Sequence, residues 1–62
     1  MSLQYELVLE EAFYPENGGH PYYSENVVQL FEDRSVAEAT ANSYNRKAPN
    51  NQYYSVRKIK EV

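Results

Sequence analysis

His20 is the only histidine of the 62-residue chain, and it follows Asn17-Gly18-Gly19 and precedes Pro21-Tyr22-Tyr23. To act as a general base it needs a nucleophile within hydrogen-bond reach and a carboxylate that orients the ring. The spacing of the chain supplies neither, so His20 reads as a surface-loop residue. A metal site fares no better, because one histidine with scattered carboxylates and no cysteine lacks any ligand cluster at a recognisable spacing. Glu10-Glu11 and Glu32-Asp33 are paired carboxylates, but neighbours on a strand point to opposite faces and cannot share a substrate. Gly18-Gly19 is too short to cradle a phosphate, and no Gly-Lys-Ser/Thr leads from it into a helix. The residues therefore predict no enzyme, no cofactor and no metal.

Two groups of residues point to binding instead. Tyrosine supplies seven of the nine aromatic side chains; it offers a large contact area and a polar tip at small entropic cost. Tyr14, Tyr22 and Tyr23, with His20 between them, make the Gly/Pro turn a candidate surface for docking another protein. Tyr53 and Tyr54 beside Arg57, Lys58 and Lys60 form the alternative site. Aromatic faces and cations on one strand can stack bases and hold the phosphates of a single-stranded nucleic acid. The acidic first half of the chain opposes a polyanion. The expected function is that of a small non-enzymatic protein-interaction module, such as an inhibitor of phage type or an accessory subunit. Single-stranded nucleic acid or nucleotide binding is the alternative.

Charge is divided along the chain. Residues 1–33 carry seven acids and no Lys or Arg, a charge of −7; residues 34–62 carry six bases against Glu38 and Glu61, a charge of +4. Either the halves meet in one sheet and pair across strands, or they form a dipolar surface that steers a partner. With no cysteine there is no disulfide framework. The longest large-apolar run, Leu7 to Leu9, is far shorter than the ~18 residues of a spanning helix, so no membrane partner is expected and a cytoplasmic location is the default.

The elements that must position these residues follow from periodicity. Leu3, Tyr5, Leu7 and Leu9 alternate with Gln4, Glu6 and Val8, the signature of a strand with one buried face; as the most apolar segment it belongs at the sheet centre, running on towards Phe13 or Tyr14. Asn17-Gly18-Gly19 between Pro15 and Pro21 marks a turn near Gly18, its flanks open loop or extended hairpin. Asn26–Glu32 is a second strand, with Val28 and Leu30 expected inward, opposite Leu9 and Leu7. A one-residue slip buries Val27 and Phe31 instead.

Asp33 is a candidate N-cap, with Ser35 and Glu38 as a competing capping-box start. From Arg34 to about Lys47, Val36, Ala37, Thr40, Ala41 and Tyr44 form one narrow helix face, and Pro49 with Asn50-Asn51 ends the helix. Gln52–Val62 is a third strand, where broken alternation calls for a bulge near Arg57-Lys58. Val28-Gln29-Leu30-Phe31-Glu32-Asp33 leading into Ser35-Val36-Ala37-Glu38 resembles small prokaryotic and phage proteins in which a strand ending in an aromatic feeds a short Ala-rich helix; that layout carries over no functional residue.

The expected fold is a single α+β domain over residues 1–62, a compact ββαβ unit. A right-handed crossover places the first strand between the other two, giving a three-stranded antiparallel sheet of order 2-1-3 with one helix on one face and the other face bare. A homodimer through that open sheet face is compatible with either function. At this length the core is small and stability slim.

Overall fold

The computed structural model describes residues 3–59. Its order is β1 (Tyr5–Phe13), β2 (Tyr22–Phe31), α1 (Arg34–Lys47) and β3 (Gln52–Lys58). The strands form one sheet in the order β2-β1-β3, with both neighbours antiparallel to β1. The expected α+β architecture, with its open sheet, is therefore the observed one. Lys60, Glu61 and Val62, assigned to the third strand from the sequence, lie outside the described residues.

The alternation of β1 decides what each face carries. Tyr5 and Leu7 point to the helix, where Leu7, Phe31, Ala37 and Ala41 make the core with Tyr5, Tyr54 and Val56 packed against it. Alanine at 37 and 41 lets α1 approach the sheet closely. Val36, expected on that face, is exposed instead, because the helix leans mainly on β3, its inward line running through the buried Ala37 and Ala41 to Tyr44 and Asn45, which meet Tyr54. Asp33 is the N-cap: its carboxylate accepts from the Ser35 amide and the Ser35 hydroxyl, each at 2.9 Å. The Ser35/Glu38 capping box is not formed; Ser35 is committed to Asp33, and Glu38 pairs with Arg34 at 3.5 Å.

The irregularity of the sheet lies in β2 and not in β3. Pairing of β1 with β3 runs unbroken from Tyr5–Lys58 to Glu11–Gln52, so no bulge occurs at Arg57-Lys58. Pairing with β2 shifts at Val28, since Leu7 faces Gln29 while Val8 faces Val27. A bulge spends one residue and reverses the strand's parity beyond it. Phe31 and Gln29 consequently share the helix side, yet Leu30 and Val27 both fall on the other side. The expected burial of Val28 and Leu30 is corrected: both are exposed, and the only buried residue of β2 is Phe31.

The hairpin flanks are strand up to the pair Phe13–Tyr22, and their rings stack with centroids 5.2 Å apart. Between them, Gly18 takes φ of +79°, and the Asn17 side chain accepts a hydrogen bond from the Gly19 amide at 3.2 Å, an Asx turn.

The helix clamps the free edge of β3 at Tyr54. The Asn45 carboxamide accepts from the Tyr54 amide at 2.7 Å and donates to the Tyr54 carbonyl at 2.9 Å, the two bonds a further strand would make there. Asn51 extends the other side of β3, its carbonyl accepting from the Ala12 amide and its side chain donating to the Ala12 carbonyl. No comparable side-chain hydrogen bond to the β2 backbone occurs among the described residues.

Candidate site on the open sheet face

Residues of like orientation on the three strands build the open face. β1 contributes Glu6, Val8, Glu10 and Ala12; their partners are Leu30, Val27, Glu25 and Tyr23 on β2. On β3, Arg57 faces Glu6, Ser55 faces Val8 and Tyr53 faces Glu10. Val8 is fully buried although the helix is on the other side. Arg57 spans this part of the face: it pairs with Glu6 at 3.3 Å and reaches Glu25 at 3.1 Å. Glu25 sits on the far strand opposite Glu10, four residues beyond Glu6 on β1, so the guanidinium crosses β1 near Val8. One arginine thus joins the acidic and basic halves across three strands, the first of the two arrangements that the charge division allows. Both pairs are half-exposed, so they contribute at most about 1 kcal/mol each.

The rest of the face divides into two regions. Along β2, Val27 and Leu30 are 50% and 44% exposed. Towards the hairpin end, Tyr14, Tyr23 and Tyr53 line a groove of about 240 Å³ with Glu10 and Ala12, closed on the β3 side by Asn50 and Asn51. The three rings are more than half exposed, and Ala12 lies buried between Tyr23 and the end of β3.

The tyrosines expected to form one docking surface are therefore split. Tyr14 and Tyr23 belong to this groove, whereas Tyr22, adjacent to Tyr23 and so on the opposite face, stacks on Phe13. His20 is exposed in the connecting loop and does not line the groove. Tyr53, assigned from sequence to the alternative nucleic-acid site, joins Tyr14 and Tyr23 instead.

The remainder of that alternative constellation does not converge. Tyr54 points to the helix and meets Tyr44 edge-on at 5.1 Å, and Lys58, opposite Tyr5, shares its side. Arg57 is engaged by two carboxylates, and Lys60 lies outside the described residues. Sequence reasoning missed Glu10, Ala12, Val27 and Leu30 as site residues. The parity of β1 could have found the first two; the bulge hid the others.

Of the titratable groups, Asp33 is displaced. Its side-chain hydrogen bond from Ser35, then the backbone bonds from Ser35 and Val36, hold its carboxyl below the usual value of 3.8 against a small opposing effect of burial. This is cap chemistry and lies away from the groove. Among the described residues no group of three or more His, Cys, Asp or Glu is placed to hold a metal ion, and no helix is long and apolar enough to cross a membrane.

Fold and surface together define a small α+β unit built as a three-stranded sheet with one helix and one uncovered face. Compared with known protein families, curated proteins and solved structures, the chain matches none of them.

Proposed function

We propose that this chain is a non-enzymatic interaction module that docks a protein partner on its open sheet face, as an inhibitor or accessory subunit does. The observation that carries the reading is the inverted amphipathicity of β2. Its polar residues Gln29, Asn26 and Ser24 face the helix side, while Val27 and Leu30 face the side the chain leaves uncovered. Phe31 at the end of β2 still enters the core, but a mid-strand stretch whose apolar side chains turn away from the core gains from cover elsewhere.

The shape of the molecule supports the same reading. Its accessible surface is 5007 Å², against about 4,200 Å² for a folded monomer of this size; the excess resembles one partner's share of a standard interface, ~800 Å². The radius of gyration is 13.8 Å and the shortest extent 11 Å, where a rounded domain of this length has a radius of about 10–11 Å. The chain is a thin slab with one side finished.

The test is affinity capture at moderate salt, with the wild-type chain compared with a Val27→Thr/Leu30→Gln double variant whose circular dichroism is unchanged. A protein held by the wild type and lost by the variant supports the reading. If the wild type retains no protein and stays a monodisperse monomer across concentrations, the reading fails.

A further inference from the structure

The groove at the hairpin end has a chemistry distinct from the apolar row along β2. Three exposed rings, Tyr14, Tyr23 and Tyr53, line it together with the buried Ala12. Register fixes the arrangement: Tyr23 is the β2 partner of Ala12, and Tyr53 is the β3 partner of Glu10, two residues away on β1. The rings thus stand on opposite outer strands with the small residue and the carboxylate between them. A larger side chain at position 12 would fill the space that alanine leaves.

Glu10 differs from the other carboxylates nearby. Glu6 and Glu25 share the guanidinium of Arg57, and Glu11, which with Gln52 also lines the groove, accepts from the Gln52 side chain at 2.8 Å. Glu10 is exposed and has no hydrogen bond or ion pair among the described residues. Among the described residues the open face therefore holds three carboxylates, Glu6, Glu10 and Glu25, against one arginine, with the unmatched charge beside the tyrosines. Aromatic faces attract cations through the ring quadrupole, and a carboxylate at the rim adds direct attraction. Guanidinium is the better match among biological cations, because its plane stacks on a ring while its donors fork onto a carboxylate. At about 240 Å³ the groove is smaller than the roughly 300–1,000 Å³ of drug-sized ligand sites, a size suited to a single side chain.

We propose that the Tyr14/Tyr23/Tyr53 groove receives an arginine side chain of the partner protein, stacked between the rings and paired with Glu10. The proposal rests on the reading of the open face as a docking surface and adds the partner's chemistry to it: a basic anchor at the hairpin end, beside an apolar strip that covers Val27 and Leu30.

The experiment titrates N-acetyl-arginine-methylamide into the isotopically labelled full chain and follows the tyrosine ring resonances by NMR, with the lysine and the neutral citrulline analogues as parallel probes. The expected result is saturable shifts at Tyr14, Tyr23 and Tyr53, with Tyr22 and Tyr44 as unmoved internal references. Lysine should bind more weakly and citrulline should give no saturation. Glu10→Gln and Tyr23→Ala should each lower the arginine affinity roughly two- to fivefold. Tyr53→Leu, which keeps strand bulk at that position, provides a second variant should Tyr23→Ala perturb the hairpin.

Shifts equal for arginine and citrulline, or an affinity untouched by Glu10→Gln, would overturn the proposal. Ring shifts that grow with protein concentration in the absence of probe would assign the groove to a second copy of the chain and overturn it as well. None of these results bears on the Val27→Thr/Leu30→Gln comparison, so the anchor can fail while the docking face stands.

Discussion

Replacing Asn45, a half-buried helix residue that faces β3, by alanine should destabilise this protein measurably. The Asn45 carboxamide makes two hydrogen bonds to the Tyr54 backbone, at 2.7 and 2.9 Å, in a half-buried setting. Each contributes about 0.5–1.5 kcal/mol net, so their joint loss costs about 1–3 kcal/mol. Alanine is a better helix former than asparagine by about 0.6 kcal/mol, which offsets part of this. Asn42 supplies the control, since it is exposed on the same helix and has no side-chain hydrogen bond among the described residues. Asn42→Ala should therefore gain the propensity term alone.

The gap between the two variants isolates the clamp at about 1–3 kcal/mol, a large part of the roughly 3–9 kcal/mol available to a 62-residue domain. Thermal unfolding followed by circular dichroism should separate the two midpoints by at least about 4 °C. Asn45→Ala should also aggregate with rising concentration, because the β3 edge then offers unpaired backbone groups. Midpoints within about 2 °C of each other would show that the Asn45 bonds add nothing and that the edge is closed by packing.

The Asp33 cap, the Arg57 bridge and the Gly18 turn each carry a further prediction. Asp33 has a depressed folded-state pKa, so the unfolded chain binds more protons than the folded one near that pH. Its capping contribution is complete above the ordinary value of 3.8 and is lost as pH falls through the folded value; wild type and Asp33→Ala should differ in melting temperature at pH 7 and converge in strong acid. Arg57→Ala should cost about 1 kcal/mol, chiefly by uncovering Val8, so Arg57→Met, which keeps the apolar stem, should recover most of it in urea titrations. Gly18→Ala should cost about 1–2 kcal/mol through backbone strain alone, because φ is +79° and a Cβ there meets nothing within 4 Å; an unchanged unfolding midpoint would refute that account.

Local grammar made much of the fold legible. The period-two run at Tyr5 to Leu9, the Asn17-Gly18-Gly19 turn and the Ala37/Ala41 spacing each act within a few residues, and the structure keeps β1 at the centre, the turn at Gly18 and a helix over Arg34–Lys47. Asp33 prevailed over the capping box because its carboxylate reaches both the Ser35 amide and hydroxyl. The split of charge between the halves left cross-strand pairing and a dipolar surface both open; the Arg57 bridge is of the first kind, since antiparallel pairing brings residues far apart in sequence onto one face.

The candidate site was less visible, and one displaced residue accounts for most of the difference. A strand's parity can be read only if it is unbroken, and the bulge at Val28 reverses it midway, sending Val27 and Leu30 to the bare face while Phe31 enters the core. Which pairings hold is settled by strands aligning over distances that no window of sequence spans. Proximity also recombined the tyrosines: Tyr53 joined Tyr14 and Tyr23, while Tyr22 and Tyr54 turned to the other face. The sequence by itself determined the elements, their order and the absence of a cysteine-based site, because these depend on residue type and short-range period. Only the tertiary structure decided which apolar side chains lack cover and which carboxylate lacks a cation, because both depend on what the other two strands set beside each position.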